Sequence, residues 1–368
     1  MAVEIGRVAR VCRTIARAAI VGSGVVALAG CAFYWQAIGG QIDLLRKRTP
    51  IDELLADPAL DAKLKSELSA VAEIRKFAVT DLVLPDNKSY TTYVALDRPY
   101  VVWNVVAAEE FSVEPKRWCF PFAGCVSYRG FFDRADAERF EKELARKGYD
   151  TSSGGSDAYS TLGYFADPVL STMIGSGEQY VASLLFHELA HQKLYVKDDS
   201  EFSEAFATVI EEYGTERWLT ARADEAGLAA YRRRLSHRSD FATLVSAQQN
   251  RLRAVFATSE TADQKRADKA LAFDAMRADY AALKRGWGGT GDYDAWFAQP
   301  LNNATLAAVA TYRRWVPALR ARIEARGLQA FYAEMAELAK LKVPERAKRL
   351  EGSLGVASLP AGAPPQPG

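Results

Sequence analysis

The chain has 368 residues, of which 49% are hydrophobic and 25% are charged, and its formal net charge at pH 7 is +1. This composition is typical of a folded globular protein with one large domain or two small ones. A nearly balanced charge gives no reason to expect a nucleic-acid partner, so we expect none.

The N-terminus has the layout of a bacterial lipoprotein signal. Four arginines precede an apolar stretch, Ala18–Ala29, that is too short for a transmembrane helix, which needs about 20 apolar residues. The stretch ends in Leu28-Ala29-Gly30-Cys31, which resembles a lipobox. We therefore predict a signal peptide over residues 1–30 and lipidation of Cys31, with a plain signal or an uncleaved anchor as the alternative.

The predicted location follows from the same resemblance. Ala32 after the lipobox cysteine favours the outer membrane, so we expect a lipid-anchored periplasmic protein of a Gram-negative bacterium. Apart from the lipobox Cys31, only Cys119 and Cys125 remain in the mature chain, and an oxidising periplasm would let them form a disulfide. A metal-binding pair is the alternative, but the spacing of six residues is wider than in zinc knuckles.

A small sheet region is predicted over residues 90–165. Its candidate strands are Tyr90–Leu96, Pro99–Ala107, Val126–Phe132 and, as a strand or an extended segment, Tyr159–Phe165. The first two of these could pair with each other. Asp133 is the expected cap of a helix that reaches Lys147, and Thr151–Asp157 is predicted to be a serine- and glycine-rich loop.

The most informative stretch is His187-Glu188-Leu189-Ala190-His191, which fits the pattern H-E-x-x-H. In a helix, residues four apart lie on one face, so His187 and His191 can bind one metal ion while Glu188 lies beside them. Apolar residues recur at helical spacing from Val181 to Leu189, which predicts a partly buried helix. Two structural core histidines are the alternative, but without metal they would need other polar partners.

A third ligand is expected because catalytic zinc usually has three protein ligands and one open position. Only one further histidine exists, His237, so a carboxylate is the expected ligand type. Glu204 follows His191 by 13 residues, which leaves room for a turn and one turn of a returning helix, and small alanines flank it. Glu201, one helical turn earlier on nearly the same face, is its rival.

The rest of the chain is predicted to be mostly helical. Residues 221–341 form the helical part, with an interruption at Gly286-Trp287-Gly288-Gly289, and the proline-rich residues 359–368 are predicted to be disordered. Together with metal-site helices at residues 178–220, this predicts one α+β domain, predominantly helical, over residues 31–358.

Six strings carry a resemblance to a known family. They are His187–Gln192, Leu194–Asp199, Phe202–Ala207, Cys125–Phe132, Tyr159–Phe165 and Leu301–Ala304. These strings resemble a bacterial family of predicted aminopeptidases, which are zinc-dependent H-E-x-x-H peptidases of the gluzincin type. The resemblance implies a zincin-like fold, a Zn²⁺ cofactor, peptide substrates and Glu204 as the glutamate ligand. Ser203 departs from the pattern, which would have asparagine before that glutamate.

The expected function is therefore that of a zinc metallopeptidase, in particular an aminopeptidase, with Glu188 as general base to a zinc-activated water. The alternative is an envelope lipoprotein that contains zinc and acts as a binding or structural protein without peptidase activity. The remaining roles have several candidates. They are Tyr128, Arg129, Tyr195 and His237 for an oxyanion donor, Glu201 or Glu109–Glu110 for the substrate ammonium, and Tyr128–Gly130 or Tyr159–Tyr164 for an edge strand that pairs with a peptide.

Overall fold

The structure, a computed structural model, describes residues 39–120, 124–161, 163–310 and 314–357. The chain divides into two compact units, Met1–Arg48 and Thr49–Gly368. In the first unit, residues 39–47 are helical. The predicted signal peptide, the lipidation site at Cys31 and the C-terminal tail lie outside the described residues.

The second unit is built mainly from helices. They are α1 Ile51–Ala56, α2 Ala62–Thr80, α3 Arg134–Arg146, α4 Glu178–Lys193, α5 Ser200–Ala221, α6 Glu225–Phe256, α7 Ala262–Gly286, α8 Asp294–Phe297, α9 Asn303–Ala310, α10 Val316–Ala339 and α11 Val343–Ala357. The strands are β1 Thr49–Pro50, β2 Thr92–Val94, β3 Val102–Glu109, β4 Trp118–Phe120, β5 Gly124–Val126, β6 Arg129–Phe131, β7 Tyr149–Ser156 and β8 Val169–Leu170. The predicted class, a predominantly helical α+β protein with a small sheet region, is confirmed.

The strands form small separate sheets. One has the order β6-β3-β7, with both pairs antiparallel, and its longest ladder runs from Val102 opposite Ser156 to Glu109 opposite Tyr149. Another has the order β1-β2-β8, and β4 pairs with β5 in a hairpin. The first two predicted strands therefore do not pair with each other, because β2 and β3 belong to different sheets.

The prediction of a loop at Thr151–Asp157 is wrong, since most of this segment belongs to strand β7. Serine and glycine are poor strand formers, but β7 is an edge strand whose middle is exposed, so it needs few bulky side chains. At Gly155 a Cβ atom would lie 2.1 Å from the ring of Tyr100, so only glycine fits there. The described residues of Tyr159–Phe165 are not in a strand, and Val126–Phe132 is divided between β5 and β6.

The helix boundaries follow from caps and glycines. Asp133 accepts a hydrogen bond from the backbone N of Asp136 at the start of α3, and Gly148 follows its end with φ +84°. Gly288 and Gly289 have φ +72° and +89° and end α7 at the predicted interruption. Among the described residues, no helix has both the length and the apolar character needed to cross a membrane.

Candidate metal centre

Helices α4 and α5 bring the H-E-x-x-H motif and Glu204 together. The apolar face of α4, which includes Leu185 and Leu189, is buried, and this fixes the direction in which the histidines on the same helix point. Helix α5 can approach α4 closely because Gly214 faces Phe186, where a Cβ atom would lie 2.8 Å from the ring. The two helices therefore hold the candidate ligands on rigid supports.

The side chains of His187, His191 and Glu204 converge on one point. The two Nε2 atoms are 3.2 Å apart, and Oε2 of Glu204 lies 3.4 Å from Nε2 of His187 and 3.6 Å from Nε2 of His191. In the part of the chain that the structure describes, no other three histidine, cysteine or acidic side chains converge in this way. His191 is 7% exposed, so the group is largely shielded from bulk solvent.

This donor set fits a tetrahedral divalent ion. Zinc bonds of about 2.0–2.1 Å at tetrahedral angles require ligand atoms about 3.3–3.4 Å apart, which agrees with the observed separations. Burial alone would lower the pKa of His187, but hydrogen bonds to Glu204 and Glu211 raise this pKa well above its usual value. Two carboxylates, those of Glu204 and Glu211, thus contact the imidazole of His187 at 3.4 and 3.1 Å, and this concentration of negative charge favours a divalent cation.

Glu211 contacts the imidazole of His187 through the ring nitrogen that does not face the other two ligands. Its Oε2 lies 3.1 Å from Nδ1 of His187, and its Oε1 accepts a hydrogen bond of 3.1 Å from Arg238 on α6. A carboxylate on the outer nitrogen fixes the tautomer, so that Nε2 is the nitrogen that faces the ligand group. Glu211 could not be assigned to the site from the sequence, because its contact with Arg238 joins α5 to α6 across 27 residues and no local pattern indicates it.

The loop between α4 and α5 is tied down by Ser203. Its hydroxyl accepts a hydrogen bond from the backbone N of Val196 (3.0 Å) and donates to the backbone O of Asp199 (3.0 Å). Ser203 therefore links the connecting loop to the first turn of α5. Cys119 and Cys125 form a disulfide across the β4–β5 hairpin, and the hairpin reaches the same loop through a 2.9 Å hydrogen bond from Cys125 N to Asp198.

Glu188 is half-buried beside the ligand group, and no hydrogen bond or ion pair with the described residues occupies its carboxylate. Tyr128 lies close to it. Burial raises the pKa of Tyr128, and the charges of Glu204 and Glu188 raise it further, so this hydroxyl keeps its proton and stays a hydrogen-bond donor. Both features suit a site in which one group accepts a proton and another donates a hydrogen bond.

Of the residues predicted as oxyanion donors or as a peptide-pairing strand, some lie at the ligand group and others lie elsewhere. Tyr195 packs edge-on against His191, with ring centroids 6.3 Å apart. Arg129 lies over the ring of Phe140, and His237 stacks on Trp287 with its Nδ1 2.7 Å from Asp292, so both have structural partners away from the ligand group. Strand β6, which contains Arg129 and Gly130, pairs with β3, and the peptide-pairing role of Tyr128–Gly130 stays a prediction, whereas the described residues of Tyr159–Tyr164 are not in a strand.

Asp167 provides a testable pH effect near Glu188. It is 1% exposed and accepts hydrogen bonds from the backbone N (3.0 Å) and hydroxyl (2.7 Å) of Thr161. Burial raises the pKa of Asp167 to about 6, the bonds from Thr161 oppose this, and the charge of Glu188 adds to it. The folded protein therefore holds a proton between about pH 4 and 6 that the unfolded chain has lost, and stability falls as the pH rises through this window.

We expect Asp167→Asn to remove this pH-dependent loss of stability, because asparagine can accept a hydrogen bond from the Thr161 backbone N and donate one to its hydroxyl without carrying a charge. Relative to the native protein, the variant should gain roughly 2 kcal/mol in free energy of unfolding between pH 4 and pH 7. Urea unfolding at both pH values measures it, with the exposed Asp97→Asn as control. An equal difference at both pH values would contradict the assignment.

Comparison with known proteins agrees with the motif. No curated protein and no solved structure matches the chain. A family model described as "Putative aminopeptidase" matches residues 32–350, which include the whole ligand group. Because this match covers most of the sequence, the chain belongs to that aminopeptidase family.

Proposed function

We propose that the protein is a zinc-dependent metallopeptidase of the gluzincin type that removes N-terminal residues from peptides. The observation that carries this proposal is the convergence of His187, His191 and Glu204 at tetrahedral separations with Glu188 beside them. Two imidazoles and one carboxylate are typical ligands of catalytic zinc. Three ligands leave one coordination position open, which a purely structural zinc site would close with a fourth ligand.

Zinc bound by these three side chains would lower the pKa of a water molecule towards about 7 and polarise the substrate carbonyl. Glu188 takes the proton from the attacking water and passes it to the leaving amine. We assign to the Tyr128 hydroxyl, which keeps its proton next to the charges of Glu204 and Glu188, the donation of a hydrogen bond to the carbonyl oxygen as negative charge develops on it. Burial of the group limits the access of bulk water.

The proposal extends to the cell envelope. The lipobox-like Leu28-Ala29-Gly30-Cys31 supports a lipid anchor on Cys31, with Ala32 favouring the periplasmic face of an outer membrane. The membrane and a peptide substrate are then the two partners, and we propose no nucleic-acid partner because the formal charge is nearly balanced at +1. Labelling of cells with a radioactive or clickable fatty acid, with Cys31→Ala as control, tests the anchor directly.

The function is tested on purified protein from Ala32 onward. Bound metal is measured together with hydrolysis of aminoacyl substrates and N-blocked peptides, before and after removal and return of zinc. One zinc per chain with cleavage of free N-termini supports the aminopeptidase. Cleavage of blocked peptides alone would keep the mechanism and reject the exopeptidase assignment, and metal without turnover would favour the envelope binding protein. Absence of bound metal would reject the site.

Glu211→Gln should weaken zinc binding by about 10–100-fold, because glutamine can still hydrogen-bond His187 but loses the charge that orients and polarises it. Competition with a chromophoric chelator measures the affinity. Glu216→Gln is the matched control, since Glu216 lies on the same helix but pairs with Arg320 and Arg232 instead. Equal affinities for Glu211→Gln and the native protein would show that Glu211 does not support the ligand.

A further inference from the structure

Tyr164 and Phe165 form an exposed aromatic pair that the proposed mechanism does not use. Their side chains are 73% and 51% exposed, and Tyr164 is the most exposed large hydrophobic residue in the described part of the chain. Single apolar side chains scattered over a protein surface are normal, but two adjacent exposed rings make a continuous apolar surface. Such a surface indicates contact with a ligand, a membrane or another protein.

Thr161 and Asp167 hold the backbone that carries the aromatic pair. The Thr161 hydroxyl accepts a hydrogen bond from the backbone N of Phe165 (3.1 Å), and the Thr161 backbone O accepts one from the backbone N of Tyr164 (3.1 Å). Thr161 in turn donates two hydrogen bonds to the buried carboxylate of Asp167. The backbone under both rings is therefore fixed, which lowers the entropy cost of binding a ligand against them.

The aromatic pair lies next to Glu188. At Gly163 a Cβ atom would be 3.6 Å from the side chain of Gln192, so the backbone just before the pair packs on that residue. Gln192 follows Glu188 by four residues on α4, which places it on the same face of the helix, one turn further on. Just after the pair, the charge of Glu188 contributes to the raised pKa of Asp167. The pair is thus flanked on both sides by residues that neighbour Glu188.

Gln192 is a fixed support for this segment. Its Oε1 accepts a hydrogen bond of 2.7 Å from Asn87, and its Nε2 donates one of 3.2 Å to Ser89. Both ends of the amide therefore have protein partners. Because Glu188 must reach the attacked bond in the proposed mechanism, residues within one helical turn of it border the bound peptide.

We propose that the aromatic pair is an apolar subsite that binds a large hydrophobic side chain of the substrate next to the cleaved bond. The inference rests on the proposed function. Residues 159–168 carry no charge apart from the buried Asp167, so the two rings offer apolar surface without an ionic partner. A loop that binds an anionic membrane surface would be expected to carry lysine or arginine beside its aromatic residues, and these ten positions contain neither.

Peptide binding without turnover tests the subsite. In the zinc-loaded Glu188→Gln protein, calorimetry measures the affinities for trileucine and trialanine. Adding Tyr164→Ser and Phe165→Ser together should weaken trileucine binding by about 5–30-fold, the factor expected when roughly 40–80 Å² of apolar surface is no longer buried, and should change trialanine binding by less than about twofold. Leu271→Ser, which removes another exposed apolar side chain from α7, is the matched control and should alter neither affinity.

The double variant should keep its fold and its zinc, because both side chains are exposed and the backbone beneath them is held by Thr161 and Asp167. Circular dichroism and metal analysis check this on the same samples. If the double variant lost zinc, the single variants Tyr164→Ser and Phe165→Ser would serve for the same comparison, each with a smaller loss of trileucine affinity.

The inference is overturned if the double variant binds both peptides as before, if it weakens both equally, or if Leu271→Ser has the same effect. It is also overturned if the Glu188→Gln protein does not bind trileucine at all. Flotation with vesicles of phosphatidylethanolamine and phosphatidylglycerol tests the other occupant. Loss of vesicle binding in the double variant, with unchanged peptide affinities, would identify a membrane contact and reject the subsite.

These outcomes are separate from that of the proposed function. Preferential binding of trileucine through the aromatic pair, without hydrolysis by the native protein, would reject the peptidase and keep the apolar subsite. Hydrolysis by the native protein with the same preference for leucine over alanine in the double variant would keep the peptidase and reject the subsite.

Discussion

Replacing Glu188 by glutamine should lower kcat by about 10²–10⁴-fold while the protein keeps its zinc. Glutamine has the same shape but cannot accept the proton of the attacking water. Because Glu188 is not one of the three converging donors and makes no hydrogen bond with the described residues, its replacement should disturb neither the ligands nor the fold. Steady-state kinetics on a free-amine substrate, together with metal analysis of the same sample, measures both quantities.

The matched control is Glu178→Gln on the same helix. Glu178 lies in the first turn of α4 and forms an exposed ion pair with Arg222, so its loss should leave kcat unchanged. If Glu188→Gln kept native kcat, Glu188 would not be the base. If it lost zinc in parallel with activity, the carboxylate would act on the metal and not on the proton.

The parts of the site that depend on one helix were predictable from sequence. His187, Glu188 and His191 lie within five residues, so helical periodicity alone places them on adjacent faces. Glu204 and Glu201 share a face of α5, and sequence could only weigh one against the other. The structure brings Glu204 to the two imidazoles and pairs Glu201 with Arg314 instead.

The parts that depend on distant packing were not predictable. Arg238 contacts Glu211 across 27 residues, and no local pattern indicates that pair. Strand β7 was missed because its serines and glycines signal a loop, whereas its pairing with β3 and the close approach of Tyr100 to Gly155 decide its conformation. Local propensity is a weak guide to an edge strand whose conformation is decided by pairing with the neighbouring strand.

Arg346 is expected to be among the most important single residues for stability. It is 2% exposed, pairs with the buried Asp199 and donates hydrogen bonds to the backbone O atoms of Leu338 (2.9 Å), Ala339 (3.2 Å) and Leu341 (2.7 Å). One guanidinium thus satisfies two carbonyl groups at the end of α10, a third just after it, and the carboxylate at the start of α5. Its plane also lies over Phe202, 4.9 Å from the ring centroid.

Arg346→Met should lower the free energy of unfolding by about 3–5 kcal/mol, because it leaves the Asp199 charge buried without its cation. Asp199 caps α5 by accepting a hydrogen bond of 3.1 Å from Phe202 N, five residues before Glu204, so zinc affinity should also fall. Urea unfolding followed by circular dichroism measures the first effect, and chelator competition the second. Lys348→Met, an exposed change on the same helix, should stay within about 0.5 kcal/mol of the native protein.

The double variant Arg346→Met/Asp199→Asn separates charge from packing. Asparagine remains a good helix cap and carries no charge, so the double variant should be more stable than Arg346→Met alone. The recovery would show that the uncompensated carboxylate causes most of the loss, and that this pair fixes the start of the helix that presents Glu204. If the double variant were less stable than the single one, packing of the guanidinium over Phe202 and its three carbonyl bonds would be the dominant contribution, and Asp199 would act mainly as a cap.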